Sequence, residues 1–133
     1  MLQPIMEHPI DLHNTENRRR LAQMIVNLFD FWHLSTRDQA ALLGLSTTGR
    51  TTLNRYRGGA PLADNQDLIS RAGHLLGIHK SLRLMFPRNL ELAYRWVSEP
   101  NRRFNNLAPL EIMKQGYEGL LAVRRYLDFE RGR

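Results

Sequence analysis

Five histidines (His8, His13, His33, His74 and His79) are the residues through which this chain would do acid–base or metal chemistry. Their spacing argues against it. His8 and His13 sit in a head with Pro4 and Pro9 and no hydrophobic period, which reads as a flexible lead-in. His74 and His79 are five apart, a separation that does not align them on one helix face. There is no His-Glu-x-x-His run, no phosphate-cradling glycine loop and no close carboxylate pair. Asp64 and Asp67 offer oxygens to a metal, but helix-start and capping roles explain both. The absence of cysteine removes disulfides, thiolate zinc sites and cysteine nucleophiles together. The expectation is a protein that is not an enzyme, with no catalytic residue, cofactor or metal.

The residue type in excess is arginine. The chain carries 19 Lys+Arg against 13 Asp+Glu, a net charge of +6, and 17 of the basic residues are Arg, with only Lys80 and Lys114 besides. A guanidinium offers a fixed fork of donors that matches phosphate, carboxylate and base edges, so an anionic partner is expected. The excess is uneven: residues 1–66 hold 7 basic and 6 acidic side chains, residues 67–133 hold 12 and 7. An argument for nucleic acid therefore has to rest on local geometry.

The elements that position these arginines are all helical. After the lead-in (1–13), Asn14 or Thr15 caps a helix in which Leu21, Met24, Ile25, Leu28, Phe29 and Trp32 form one apolar stripe. Arg18, Arg19 and Arg20 precede that stripe, at the helix end where cations are unfavourable; a solvated first turn and a phosphate contact are both open. Ser35 with Asp38 resembles a capping box, Gly44 stops the helix that follows, Leu45 plugs the core and Ser46 can cap the next helix. That helix carries Leu53 and Tyr56 inward and ends at Gly58, Gly59 and Pro61. Asp64 or Asn65 opens a fourth with Leu68, Ile69, Ala72, Leu75 and Leu76, expected to bend at Gly77 before a short segment from Leu82 to Pro87. Asn89 caps a further helix closed by Pro100; Leu107 to Met113 is a brief one with Pro109 at its first position; Gly116 precedes the last, with Leu120, Val123 and Leu127 inward. Nothing has the alternation of a strand. The fold class is all-α, with a helix-turn-helix unit over 14–87 packed against a small C-terminal helical unit over 88–133.

Two short helices joined at Gly44–Leu45–Ser46 make a helix-turn-helix candidate, in which small Ala40 lets the helices approach. Its second helix would enter a major groove with Arg50 toward base edges and Arg55 and Arg57 toward phosphates, helped by Thr47, Thr48, Thr51, Thr52 and Asn54. The spacing after the turn is irregular, because position 50 is Arg and the next apolar residue is Leu53, so Thr47–Gly49 reads as an extended turn. A helix pair with no DNA role is the other reading of the same residues.

Residues 89–132 carry a resemblance. The run from Asn89 to Asn101, with Trp96 and the Pro100–Asn101 pair, then Phe104, Leu107-Ala108-Pro109-Leu110-Glu111, Gly116, Val123, Leu127 and Gly132, resembles the toxin-binding domain of Xre/MbcA/ParS-type antitoxins, and the preceding helices resemble the Xre-like domain joined to it. The resemblance implies a type II antitoxin that binds and neutralises a cognate RES-domain toxin, a class that consumes NAD, and represses its own operon by binding operator double-stranded DNA, as a homodimer within a larger toxin–antitoxin complex. It places toxin contact on the Phe104–Gly116 segment and the final helix. One departure stands out: Asn105 and Asn106 follow Phe104 where family members usually carry a glycine.

Residue by residue, the candidate toxin contacts are Arg102, Arg103, Phe104, Asn105, Pro109, Gly116, Arg124, Arg125 and Arg131. Phe104 among arginines fits an interface anchor or an aromatic folded back onto the core; Trp96 fits core packing; the terminal arginines fit carboxylates in a toxin pocket, DNA, or a solvated face. A free-standing helix-turn-helix regulator without a toxin, and a purely protein-binding helical adaptor, are the alternatives. No run is long and apolar enough for a membrane span, and the N-terminus lacks the regions of a secretory signal, so a cytoplasmic location is expected.

Overall fold

The computed structural model describes residues 11–46 and 49–133. Among the described residues, seven helices run in the order α1 (Thr15–Phe31), α2 (Thr36–Leu43), α3 (Arg50–Arg57), α4 (Gln66–Met85), α5 (Leu90–Arg95), α6 (Pro109–Met113) and α7 (Tyr117–Arg131), with 3-10 turns at Trp96–Ser98 and Arg102–Phe104. Among the described residues no strand forms; Asn101 and Leu107 make a single isolated bridge. The fold is all-α.

Each helix start that a side chain caps was written locally. Asn14, Ser35, Asn65 and Asn89 accept the backbone N–H three residues on, satisfying one of the donors a helix N-terminus leaves unpaired. Gly44 ends α2 in a left-handed conformation at φ +69°. Pro109 opens α6, where its missing N–H costs nothing.

The expected bend at Gly77 does not occur. α4 runs unbroken for 20 residues from Gln66 to Met85. Gly77 is there for space rather than flexibility: a Cβ at that position would run into the Arg124 guanidinium lying across it. α4 is the spine of the molecule, packing against α1, α2, α5 and α7. Met24, expected on the buried stripe of α1, is 53% exposed, while Ala22 and Val26 are buried instead. The stripe is rotated because α1 has to meet α3 on one flank and α4 on the other. One core runs from Phe29 and Trp32 through Leu42, Leu53 and Leu75 to Met113, Leu120 and Leu127, so the C-terminal helices share the interior of the N-terminal ones.

α6 and α7 meet so closely that a Cβ on Gly119 would overlap the Ile112 carbonyl oxygen, a backbone atom with nowhere to go. Gly119→Ala is expected to destabilise the fold by about 1–3 kcal/mol through overpacking. Gly73→Ala, also in a helix but with open space at its Cβ, is expected to stabilise it by about 0.5–1 kcal/mol. Thermal unfolding of both variants checks the contrast.

Candidate nucleic-acid and partner interfaces

The α2–turn–α3 unit is set by small residues. Ala40 and Gly49 approach so closely that a Cβ on Gly49 would lie 2.8 Å from that of Ala40. α3 begins at Arg50 with Gly49 as its N-cap and no side-chain cap, so Ser46 does not cap this helix; the Ser46 carbonyl accepts the Gly49 N–H at 3.0 Å. Thr47 and Thr48, two candidate DNA contacts, lie outside the described residues. Leu53 and Tyr56 turn inward, and burial raises the Tyr56 phenol above its usual range. Arg50, Thr51, Asn54 and Arg55 are exposed, with Thr52 half-buried. Arg57 differs from the other two arginines. It pairs with Asp30 of α1 at 2.9 Å and donates to Gln39 of α2 at 3.2 Å, which commits its guanidinium to holding the three helices together.

α3 is held at its C-terminal end by donors from α1, a device that the sequence did not disclose. Arg18 donates to the Leu62 carbonyl (2.7 Å), Arg19 to the Gly59 carbonyl (2.9 Å) and Gln23 to the Tyr56 carbonyl (2.7 Å). These carbonyls lie at the end of α3 and in the loop after it, where acceptors need partners and a cation complements the helix dipole. Neither a solvated first turn nor a phosphate contact describes Arg18 and Arg19; Arg20, exposed and 3.8 Å from Glu16, is the solvated one. His13, expected in a loose head, bonds Asp64 at 3.0 Å, while Asp67 pairs with Arg71 at 2.9 Å, so the two aspartates serve separate local roles. No group of metal-ligating side chains and no helix long and apolar enough to cross a membrane is found among the described residues.

The C-terminal candidates divide into two sites. In the first, Asn101 receives the Arg103 N–H on its side chain and donates its own N–H to Leu107, closing a turn. Asn105 and Asn106 inside it are left-handed, φ +57° and +66°; glycine favours that region and asparagine tolerates it. Phe104 folds back, edge-on to Tyr126 at 5.2 Å and to Trp96 at 6.4 Å, and Trp96 stacks over Tyr126. Pro109 is buried beneath. Arg102 and Arg103 project outward, exposed; Arg125 is exposed beside Tyr126 on α7. Tyr126 is the residue that joins the turn to α7, and only its place next to the arginines hinted at it.

Arg124 belongs to the second site. Two residues from Tyr126, it points to the opposite side of α7, where it contacts the Gly73 carbonyl (3.3 Å), His74 Nδ1 (3.2 Å) and Asp128 (3.6 Å). It is a brace between α4 and α7 rather than a free surface arginine. Arg131 also reaches Asp128, at 3.6 Å. Arg124 donating to His74 Nδ1 leaves Nε2–H to donate to Tyr117 Oη (2.8 Å), which in turn bonds Ser70 Oγ (2.8 Å). Gly116, at φ +140°, places Tyr117 at the start of α7 to complete this chain.

Comparison with known proteins falls on the same two regions. Residues 11–77 match the antitoxin Xre-like helix-turn-helix domain, and residues 81–133 match the antitoxin Xre/MbcA/ParS C-terminal toxin-binding domain, so the two matches meet inside α4. A relative, the uncharacterized protein y4oB of Sinorhizobium fredii, is 39% identical over 106 residues, covering 77% of this chain and 78% of its own length.

Burial, then the nearby Arg124 and Arg125, lower the His74 pKa below its usual 6.5. The folded state therefore holds His74 neutral while the unfolded chain takes up the proton, so its contribution to stability is fully present above the unfolded value and is lost as pH falls through it. Burial and Arg83 shift His79 the same way. The melting temperature is expected to fall between pH 7.5 and 5.5, and His74→Asn to flatten that fall; unfolding curves at the two pH values measure both.

Proposed function

The chain belongs to the Xre/MbcA/ParS-type antitoxins, and from that membership we propose that it binds and neutralises a cognate RES-domain, NAD-consuming toxin and represses its own operon by binding operator DNA as a homodimer. The supporting observation is one core that carries two uncommitted basic surfaces. On α3, the guanidinium groups of Arg50 and Arg55 form no ion pair or hydrogen bond with any described residue, while that of Arg57 beside them is tied down. On the C-terminal turn, Arg102 and Arg103 are exposed over an aromatic cluster that fixes the backbone beneath them.

The DNA half of the reading places α3 in the major groove, with Arg50 at the base edges and Arg55 at the phosphates. Thr51 and Asn54 add short donors on the same exposed side. Arg50→Ala is expected to cost about 1–3 kcal/mol and to relax sequence preference, because a bidentate base contact discriminates. Arg55→Ala is expected to weaken binding to all sequences and to reduce the salt slope of log K by about 1. Operator titrations across a salt series check both; unchanged affinity for the pair would remove α3 from the interface.

The toxin half rests on the charge of the C-terminal turn. Guanidinium forks suit carboxylates at the mouth of a partner's pocket, and a turn held rigid by Phe104, Trp96 and Tyr126 presents them at little entropic cost. Co-expression with the product of the adjacent gene is the deciding experiment: the two should co-purify, and growth should be restored where the partner alone is toxic. Arg102→Glu with Arg103→Glu is expected to lower the affinity of that complex more than tenfold. A pair that neither co-purifies nor restores growth overturns neutralisation.

A further inference from the structure

Burial alone does not hold α3 in place. The helix has 8 residues, no side-chain cap at its N-terminus, and only Leu53 and Tyr56 buried. The close approach of Gly49 to Ala40 fixes where it starts; polar bonds fix its other end. Both terminal nitrogens of Arg57 meet the Asp30 carboxylate at 2.9 Å. One of them also donates to Gln39 Oε1 at 3.2 Å, and Gln39, 6% exposed, donates in turn to the Leu34 carbonyl at 2.9 Å. Arg57 thereby joins the last residue of α3 to the end of α1 and, through a buried amide, to α2 and the turn before it. Asp30 does not act alone. Arg19 donates to the Gly59 carbonyl at 2.9 Å and Gln23 to the Tyr56 carbonyl at 2.7 Å. Both stand on the side of α1 that carries Asp30, since offsets of four and eleven residues return to within about 40° of the start. α1 therefore presents one row of polar side chains, Arg19, Gln23 and Asp30, and each grips the end of α3 or the loop that leaves it.

We propose that Arg19, Gln23, Asp30 and Arg57 are positioning residues for sequence reading: they fix the angle at which α3 enters the groove, and the Arg57 guanidinium is committed to Asp30 and Gln39 instead of to phosphate. The proposal rests on the operator-binding reading above and deepens it. Arg50, Thr51 and Asn54, the exposed residues assigned there to the DNA side, need a fixed angle. A base-edge hydrogen bond tolerates about 0.5 Å in donor–acceptor distance, whereas a phosphate attracts a cation over a longer range. Without the hold on Arg57, α3 pivots on the Ala40–Gly49 contact. A pivot of about 10° carries Asn54 and the tip of the Arg50 side chain by about 1 Å, beyond that tolerance. The same pivot leaves the charges of Arg50 and Arg55 available to phosphates. Loss of the row therefore removes sequence preference and spares general attraction to DNA.

The test turns on Asp30, because two roles for Arg57 give it opposite signs. Asp30→Ala removes an anion beside α3 and frees the Arg57 guanidinium. Were Arg57 a phosphate contact, this variant would bind every duplex more tightly, and Arg57→Ala would weaken binding to every duplex and lower the salt slope of log K by about 1. As positioning changes, Asp30→Ala and Arg57→Ala should each lower affinity for a duplex of the chain's own promoter about tenfold. Affinity for an unrelated duplex of equal length should fall no more than about twofold, with the salt slope unchanged. The double variant should lose no more than either single one, since both break the same link. Asp30→Glu, which keeps a carboxylate for Arg57, should retain the preference for the promoter duplex. Gln23→Met removes one bond of the row at constant charge; it should lower the same preference, and it decides the matter should the other variants disturb folding. Titrations of the full-length chain with both duplexes across a salt series measure all of this. An equal fall for both duplexes, the mark of a merely structural role, or a gain in affinity with Asp30→Ala overturns the proposal and leaves operator binding standing. A wild-type chain that does not prefer the promoter duplex overturns the operator reading and this proposal with it.

Discussion

The molecule depends on one helix being apolar on more than one side. α4 buries Leu68, Ala72, Leu75, Ile78 and Leu82, and it uses them against α1 and α2 on the one hand and α5 and α7 on the other. A helix with a single apolar stripe has one partner; one that is covered on several sides becomes the interior of whatever surrounds it. The helix-turn-helix unit and the C-terminal helices are therefore not two bodies joined by a tether. They are two halves packed on one rod, and each surface they carry is fixed relative to the other by that rod.

Arginine serves two purposes in this fold, and geometry separates them. Arg18, Arg19, Arg57 and Arg124 spend their donors on carbonyls, a histidine and carboxylates within the chain. A guanidinium suits this work because several donors in a fixed fork can satisfy more than one acceptor at a helix end or in a loop. Arg50, Arg55, Arg102, Arg103 and Arg125 have no such commitment among the described residues. The uncommitted guanidinium groups on α3 and on the C-terminal turn, rather than the total charge, support reading anionic partners at those two places.

What was legible in the sequence was local. Asn14, Ser35, Asn65 and Asn89 cap the residue three ahead of them; Gly44 and Pro109 stop and start their helices, because the signals lie within a turn of what they govern. The all-α class and the family resemblance followed from patterns of the same range. What was not legible was contact across the chain. Gly77 reads as a bend until Arg124, 47 residues away, is seen lying over it. Arg57 reads as a free cation until Asp30 and Gln39 are seen beside it. Arg18 and Arg19 read as a poorly placed basic turn until the carbonyls of Leu62 and Gly59 supply the reason. Met24 sits at a core spacing, but spacing gives a stripe its period and not its rotation, and the rotation is set by where α3 and α4 lie.

The turn after Pro100 shows how an unusual local sequence can present arginines without exposing the aromatic residue among them. Phe104, the residue that by type should be an anchor, is drawn against Tyr126 and Trp96. The chain immediately after it has to reverse sharply, and it does so through left-handed Asn105 and Asn106, with the Asn101–Leu107 bridge closing the base. Two consecutive non-glycine residues in that region are a backbone cost of order 1–3 kcal/mol each at most, less for asparagine, which tolerates the conformation. Aromatic packing beneath offsets it. The outcome is a turn whose hydrophobic side faces inward and whose arginines face out, with the aromatic cluster holding the backbone beneath them.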